Sequence, residues 1–266
     1  MIKVDEKCIH CGLCIQDCIG RDVLEFDENK TPYEKNPDNC IKCQHCFAVC
    51  PTGALSFEGK NPDNSALVLE HDSKNLLNLI QSRRSIRQYK KENVPPEIMS
   101  KLKDMLKWTP TGVNNHGLHF SFVDDINVMN DFRNSTYAYL REMLEKNDGN
   151  IPDVIKRYEK WILKEDDLIF RGAPHMVVVS TPKDAPCVEI DPVIALSYFE
   201  LYAQSLGVGT CWCGITTWIL EAVEELQKRL QIPKTHKLSY TMLFGMPDVK
   251  YKRCSQPDEI SIISVK

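Results

Sequence analysis

The hydrophobic positions divide the chain into a region of short strands and a longer region rich in helices. In the first sixty residues, VLEF at 23–26 and ALSF at 54–57 are stretches typical of short strands. Farther along, apolar residues recur at the three- and four-residue spacing of amphipathic helices over 73–81, 96–107 and 152–169. The pattern therefore predicts two regions of different architecture.

The second region also contains two predicted strands and further helices. Asp191 is the predicted N-cap, with Pro192 at the first helical position, of a strongly apolar helix over 191–206, and another helix is predicted over about 218–230. MVVVS at 176–180 and KLSYTMLFG at 237–245 have the pattern of strands. Because strands lie between helices, we predict an α+β chain whose second region is a three-layer α/β/α domain.

Composition and charge narrow the class of protein. Hydrophobic residues make up 42% and charged residues 26%, as in ordinary globular domains. The net charge of −4 argues against nucleic acid or an anionic membrane as partner. No apolar run approaches the roughly 20 residues that span a bilayer, and the N-terminus MIKVDEKC lacks the apolar stretch of a signal peptide. We expect a cytoplasmic protein.

Cysteine is the unusual component of the sequence. The chain has 12 cysteines, most of them in the first fifty residues, where C-x2-C-x2-C-x3-C occurs twice. A shift of 32 residues superimposes the first set on the second, which predicts an internal duplication. We expect a first domain at 1–60, a linker at 61–72 that is marked by the turn-forming GKNPDNS stretch at 59–65, and a second domain at 73–266.

This cysteine spacing favours iron–sulfur clusters. Three closely spaced thiolates surround one cluster, and in two-cluster ferredoxins the fourth ligates the other cluster. Zinc sites use cysteine pairs separated by a longer loop, and disulfides need an oxidising compartment. The segment resembles the bacterial-type ferredoxin domain with two 4Fe–4S clusters. We assign one cluster to Cys8, Cys11, Cys14 and Cys50, and the other to Cys40, Cys43, Cys46 and Cys18.

Three segments of the second region could carry chemistry. RRSIRQYK at 83–90 suits a phosphate, although a solvated basic face has the same composition. PTGVNNHG at 110–117 could contact a ligand or simply join a helix to a strand. GVGTCWCG at 207–214 departs from the dinucleotide-binding G-x-G-x-x-G spacing. Its Cys211 and Cys213 form either a metal or redox pair, or two small buried apolar residues.

Taken together in this order, the three segments resemble the FMN-dependent nitroreductase family. The first two resemble its RRSxR start and its PSxxNxQPW turn, while LGVGTCWCGI, LFGMPDV and the basic YKR stand where the family has its flavin loop and closing phosphate contacts. The resemblance covers about 73–256. It implies a homodimer with FMN bound at the subunit interface.

The resemblance also implies roles for individual residues. In the family, the RRSxR motif and the C-terminal basic residues hold the FMN phosphate and ribityl chain, the turn reaches FMN from the partner subunit, and the Gly-rich loop faces the flavin ring. The implied FMN contacts are Arg83, Arg84, Ser85, Arg87, Pro110, Thr111, Asn114, Cys213, Gly214, Lys252 and Arg253. His116 is either a proton donor near the flavin or a histidine that only shapes its turn. The sequence HGL replaces the family's Gln-Pro-Trp at 116–118, which leaves the substrate in doubt.

The combined motifs predict an FMN-dependent oxidoreductase. Its 4Fe–4S clusters would relay electrons to FMN, which would reduce a small electron-poor acceptor such as a nitro compound or a quinone. The alternatives are an electron-transfer or redox-sensing protein that serves a protein partner, a specialised reductase or dehalogenase on the same fold, and a purely structural use of both modules. The sequence leaves open the physiological substrate, the direction of electron flow and the donor, NAD(P)H or reduced ferredoxin. The roles of Cys187, Cys211, Cys213 and Cys254 are equally open.

Overall fold

The chain forms two compact units in a computed structural model. The structure describes residues 1–20, 22–146, 151–164 and 166–265. The first unit comprises residues 1–71 with 113–115, and the second comprises residues 72–112 and 116–266.

The first unit is built from two small antiparallel strand pairs and two one-turn helices. β1 (Ile2–Val4) pairs with β4 (Leu55–Phe57), and β2 (Leu24–Phe26) pairs with β3 (Pro32–Glu34). The helices α1 (Leu13–Gln16) and α2 (His45–Ala48) each contain the third cysteine of one cysteine run. Strands therefore occur at both stretches that the hydrophobic pattern predicted. The pattern did not reveal β1 and β3, which are three residues long and carry charged residues.

The second unit contains a four-stranded antiparallel sheet in the order β5-β6-β8-β7. Its strands are β5 (His119–Val123), β6 (His175–Pro182), β7 (Gly209–Trp212) and β8 (His236–Gly245). The predicted strands at 176–180 and 237–245 are the two central ones. They are the easiest to recognise because both of their faces are covered by apolar neighbours, so that each strand contains a run of apolar residues, MVVV in β6 and MLF in β8.

Each face of this sheet supports its own hydrophobic core. Successive residues of a strand point to opposite faces. Met176 and Val178 accordingly pack into one core, and Val177 and Val179 into the other. The helices of this unit are α3 (Ser73–Ser82), α4 (Pro96–Asp104), α5 (Ile126–Lys146), α6 (Asp153–Leu163), α7 (Asp191–Ser205), α8 (Gly214–Ala222) and α9 (Glu224–Arg229). The first core is covered by α5, α6 and α8, and the second by α4 and α7, so the unit has the predicted three-layer α/β/α arrangement.

Three helix predictions need correction. The long helix α5 was not predicted, because its buried residues at 129, 132, 136 and 140 include a threonine and are surrounded by polar residues. The helix predicted over 152–169 ends at Leu163, since the backbone of Lys164 is extended; Glu165 lies outside the described residues. The helix predicted over 218–230 is two helices with an extended Val223 between them.

Within the part of the chain that the structure describes, every helix is too short or too polar to cross a lipid bilayer.

Candidate functional site

Each predicted set of four cysteines surrounds its own cavity in the first unit. The two cavities have similar volumes, about 350 and 340 Å³ when the space at their openings to solvent is included. The fourth cysteine of each run lies beside the first three of the other run, which is the crossed arrangement that the assignment requires. One cavity is lined by Cys8, Cys11, Cys14 and Cys50, and the other by Cys18, Cys40, Cys43 and Cys46.

The backbone around the cysteines repeats as the sequence does. His10 and Gly12 have φ angles of 55° and 75°, and Lys42 and Gln44, 32 residues later, have φ angles of 57° and 62°. Where residues with left-handed and right-handed backbone conformations alternate, successive N–H groups point toward one concave side. Such a concave backbone binds anionic groups, including iron–sulfur clusters. The conformation therefore suits an anionic cluster in both cavities.

The thiols themselves favour a bound cation. Burial raises the pKa of Cys14, and the neighbouring Cys50 and Cys11 raise it further. Burial likewise raises the pKa of Cys46 to about 11, with additional repulsion from Cys18 and two other cysteines. Four thiolates cannot share one small cavity without positive charge to balance them, and iron supplies that charge.

The geometry also distinguishes a cluster from a single metal ion. Among the described residues, no group of three or more Cys, His, Asp or Glu side chains is placed to hold one ion. The cysteines instead line a cavity, as ligands of a multi-atom group must. The donor set and the backbone thus fit 4Fe–4S clusters better than zinc.

In the second unit, the basic segment 83–87 runs along the edge strand β7. Ser85 forms a parallel bridge with Thr210, and the Ile86 N–H donates to the Thr210 carbonyl oxygen at 2.8 Å. Ile86 is buried against Gly209, where an added Cβ would lie only 2.6 Å from its Cγ1 atom. Gly209 therefore permits the close approach that fixes the basic segment beside the sheet.

The basic side chains line two cavities that share walls. Arg83, Ser85 and Arg87 line a cavity of about 530 Å³, together with Arg84 and Tyr251. Arg84 and Tyr251 also border a cavity of about 890 Å³, which is lined by the further cations Lys250, Lys252 and Arg253. Among the described residues, no acidic side chain lines either cavity. Guanidinium, ammonium and hydroxyl donors in this arrangement suit a phosphate.

A buried carboxylate that the sequence analysis missed holds one of these arginines. Glu200 of α7 is 7% exposed and accepts a hydrogen bond from Arg83 Nη1 at 3.1 Å. It also accepts from Thr210 Oγ1 at 3.3 Å and from Trp212 Nε1 at 3.0 Å. The available signal was a carboxylate in the middle of a largely apolar helix. Glu200 fixes the Arg83 side chain and offsets part of its charge.

The predicted turn at 110–117 lies at a different cavity. Thr111 and His116 line a space of about 1110 Å³ with an apolar wall that includes Leu118 and Phe120. The Thr111 hydroxyl oxygen accepts from the His116 N–H at 2.9 Å. Pro110 is exposed and Asn114 has a left-handed backbone with φ of 56°. Neither of the two cavities at the basic segment contains Thr111 or His116, and the cavity at the turn contains no residue of the basic segment.

The turn is anchored by an aspartate for which we predicted another role. Asp191 was expected to cap α7, but it lies in the first turn of that helix and is only 4% exposed. Both of its carboxylate oxygens accept from the Gly112 N–H, at 3.0 and 3.1 Å. The carboxylate therefore fixes the turn instead of capping its own helix.

The Gly-rich segment is a strand followed by a helix. Residues 209–212 form β7, and α8 begins at Gly214. Cys211 and Cys213 are 1% and 3% exposed, in keeping with the interpretation as small buried apolar residues. The Cys213 N–H donates to the Thr241 carbonyl oxygen at 3.1 Å, so this amide is already used within the protein. Gly214 supplies the first amide of α8.

Comparisons with known proteins agree with both halves of this description. The model of the nitroreductase family matches residues 80–246, and the model of the 4Fe–4S dicluster domain matches residues 7–54. The nitroreductase match covers more than half of the chain. The predicted relationship to both families is thereby confirmed.

Individual relatives match one half or the other. A Methanothermobacter thermautotrophicus protein named as an NADH dehydrogenase/NAD(P)H nitroreductase is 29% identical over 177 residues, 65% of this chain and 77% of its own length. The iodotyrosine deiodinase of Thermotoga neapolitana is 24% identical over 179 residues, 66% of this chain and 90% of its own. The N-terminal segment is 34% identical over 53 residues, 20% of this chain, to an archaeal-type glutamate synthase of Dehalococcoides mccartyi, of which the chain spans only 10%.

Among solved structures, an FMN-bound nitroreductase from Desulfitobacterium hafniense has a TM-score of 0.54 and 25% sequence identity, and the match covers 71% of this chain and 98% of that one. The nitroreductase fold is thus shared. The chain belongs to the nitroreductase family, carries an N-terminal 4Fe–4S dicluster domain and is a flavin- and iron–sulfur-dependent oxidoreductase.

Proposed function

We propose that this protein relays single electrons from two 4Fe–4S clusters to FMN in order to reduce a small electron-poor acceptor, such as a nitro compound or a quinone. When bound, the clusters exchange one electron at a time, and the flavin can accept single electrons and deliver two. The observation that carries the proposal is that one chain combines two four-cysteine cavities with a cavity lined by three arginines at its nitroreductase motif.

The domain bounds of the proposal are 1–60 for the ferredoxin-like domain, 61–72 for the linker and 73–266 for the FMN domain. Both family matches, at 7–54 and 80–246, lie inside them. A cytoplasmic location stays a prediction.

The cationic cavities are the proposed site of the FMN phosphate. Ser85 and Arg87 donate to it from the edge of β7, and Arg83 does so in an orientation fixed by Glu200. Arg84, Lys252 and Arg253 approach from the neighbouring cavity. The Gly214 amide at the start of α8 is the proposed donor to the flavin ring, because the Cys213 amide is already bonded to Thr241. The protein's role is to bind, orient and shield the cofactor.

A homodimer completes this site. The basic segment and the Thr111 turn line separate cavities in one chain, so the turn, with Pro110 and Asn114, would reach FMN from a partner copy. Helix α7 supports the dimer because it is apolar on both sides. Its outward residues Tyr198 and Val193 are 49% and 46% exposed, and a helix that is apolar all round is normally covered.

The dimer is tested by placing a charge on that face. A Tyr198→Glu variant should sediment as a monomer and lose most of its FMN, whereas Tyr139→Glu on the exposed side of α5 should change neither. A Tyr198→Glu dimer with full FMN content would contradict this part of the proposal.

His116 is the proposed proton donor to the reduced acceptor. A His116→Gln variant should lower kcat while FMN binding and the thermal transition stay unchanged. If the imidazole only shapes the turn, the variant should instead weaken FMN binding and leave kcat of the loaded fraction intact.

The relay is tested by anaerobic stopped-flow spectroscopy of the full-length protein. We would mix it with NADH, NADPH or reduced ferredoxin and follow the cluster and flavin absorption separately. The relay predicts that the cluster bands bleach before the flavin band and that the flavin bleaches at the rate of cluster reoxidation. Bleaching of the flavin by NADH while the clusters stay oxidised would refute it.

The FMN site is tested by an Arg87→Ala variant. Removing one charged donor to the phosphate costs about 1.5–3 kcal/mol, which corresponds to a Kd for FMN raised roughly ten- to a hundredfold. Arg157→Ala, which removes an exposed arginine of α6, is the matched control and should bind FMN normally. Unchanged FMN affinity of Arg87→Ala would remove the phosphate assignment.

A reductive dehalogenase is the second candidate, favoured by the 24% identity to an iodotyrosine deiodinase. Anaerobic incubation with reductant and a halogenated phenol would distinguish it by halide release. An electron-transfer or sensing protein would instead show no steady turnover of any small acceptor while it still reduced a protein partner.

A further inference from the structure

The two cysteine repeats differ at the positions that flank their fourth cysteine. The first repeat reads Asp-Cys-Ile-Gly at 17–20, and the second reads Val-Cys-Pro-Thr at 49–52. The duplication therefore places a carboxylate before Cys18 and a hydroxyl after Cys50, with no equivalent in the other repeat. Each of these two cysteines lies at a different cavity.

The hydroxyl lies within reach of a ligand sulfur. Thr52 Oγ1 is 3.8 Å from Cys50 Sγ, and because a metal-bound thiolate has no proton, the hydroxyl is the donor. Burial raises the pKa of Cys50, but the Thr52 hydroxyl and the backbone at Thr52, Ala54 and Leu55 lower it by more, so that it lies below its ordinary value. These donors stabilise added negative charge at the first cavity.

The second cavity lacks the hydroxyl and has a carboxylate nearby. Cys18 Sγ lies 3.4 Å from the Gly20 carbonyl oxygen, which can only accept a hydrogen bond, so this contact supplies no donor to a metal-bound sulfur. The Asp17 carboxylate repels negative charge on Cys18. The Asp17 Oδ2 atom lies 3.3 Å from His45 Nδ1.

Two other features weigh on the comparison. Lys42 favours negative charge at Cys40 of the second cavity, where its N–H donates to Cys40 Sγ at 3.4 Å, but its ammonium pairs with Glu58 at 2.9 Å, which reduces the effect of its charge. In the first cavity Cys11 is exposed and Cys14 is buried, whereas all four cysteines of the second are partly buried. Contact with water and hydrogen bonds to sulfur both raise the reduction potential of a cluster.

We propose that Thr52 and Asp17 set an order of potentials, in which the cluster held by Cys50 is reduced before the cluster held by Cys18. One electron then leaves the reduced cluster at Cys18 and reduces the cluster at Cys50, with no bond made or broken and no proton transferred. The proposal rests on the proposed ligand sets of the two clusters and not on electron transfer to FMN.

The test is a redox titration of the full-length protein at pH 8.5, with dithionite as reductant and low-temperature EPR of the clusters as readout. Wild-type protein should show two one-electron steps. Thr52→Val should move only the upper step, to lower potential, and Asp17→Asn should move only the lower step, to higher potential. We expect each change to alter the equilibrium between the clusters about tenfold, or 59 mV for one electron.

Conservative variants serve as controls, since Thr52→Ser keeps the hydroxyl and Asp17→Glu keeps the charge. Both should titrate close to wild type. A Thr52→Val shift of the lower step, or no shift in either variant, overturns the proposal. If one variant does not incorporate its full iron content, the shift in reduction potential of the other variant tests the proposal. Because the titration needs no flavin reduction, failure of the relay would leave this result unaffected.

Discussion

The buried histidine at the start of β6 predicts a loss of stability in mild acid. His175 has no exposed surface, and its Nε2 atom accepts a hydrogen bond from the Val94 N–H at 3.0 Å. Burial lowers the pKa of His175 to about 4, from an ordinary value of 6.5. Protonation of Nε2 would break the bond to Val94 and bury a charge, so the folded protein holds this side chain neutral.

The magnitude follows from the difference in proton affinity between the folded and unfolded chains. Above pH 6.5 neither state binds the proton, and the histidine leaves stability unchanged. As the pH falls, the unfolded chain binds the proton first and is stabilised. The difference between pKa values of 6.5 and about 4 amounts to a loss of about 3 kcal/mol below pH 4, of which about 2 kcal/mol is already lost at pH 5.

The assay is urea unfolding of the full-length protein at pH 8 and pH 5, followed by tryptophan fluorescence and compared with a His175→Gln variant. The variant can be less stable than wild type at both pH values. Its free energy of unfolding should nevertheless fall by about 2 kcal/mol less than that of wild type between pH 8 and pH 5. Comparison of the two proteins removes the contribution of His119, whose pKa is also lowered by burial. Equal losses in both proteins would refute the reasoning.

Three further predictions concern the backbone of the FMN domain and the clusters. Gly209→Ala places a methyl group 2.6 Å from Ile86 Cγ1 and should lower the free energy of unfolding by about 1–3 kcal/mol. It should also weaken FMN binding, as measured by fluorescence titration. An unchanged midpoint of thermal unfolding would contradict the prediction. Gly112→Ala brings a methyl group to 2.5 Å from Cys187 Sγ and should displace the turn, seen as lower steady-state activity and weaker FMN binding; full activity with normal FMN affinity would contradict it. Anaerobic chelation of iron should unfold residues 1–60, measured by limited proteolysis, while the domain after residue 72 stays resistant.

The features that the sequence predicted best are local ones. Each cysteine run spans eleven residues, so its spacing specifies three ligands of one cavity without knowledge of the fold. The strand at 176–180 was equally clear, because both of its faces are buried and every position is apolar or small. Helix α5 was missed because a Thr136 whose hydroxyl bonds the Phe132 carbonyl oxygen looks polar in sequence but packs as a core residue.

The features that the sequence could not predict depend on distant contacts. Arg83 and Glu200 are 117 positions apart and meet only because α7 packs beside β7. The same holds for Gly112 and Asp191, which are 79 positions apart. Motif reasoning identified Arg83 and the turn, but not the carboxylates that fix them, since a single acidic residue carries no spacing pattern.

The Arg83–Glu200 pair leads to a last prediction, in which the two arginines at the cavity have different roles. Glu200 is buried and offsets part of the Arg83 charge, whereas no carboxylate lines the cavity at Arg87 in the described chain. Arg83→Ala leaves Glu200 without its cation, and because Arg83 is partly exposed the cost should be about 1–3 kcal/mol, below that of a fully buried pair. Adding Glu200→Gln should restore part of that stability. Arg87→Ala should keep the thermal midpoint of the FMN-free protein and lose FMN affinity. An Arg83→Ala protein as stable as wild type would show that the buried carboxylate does not need this arginine.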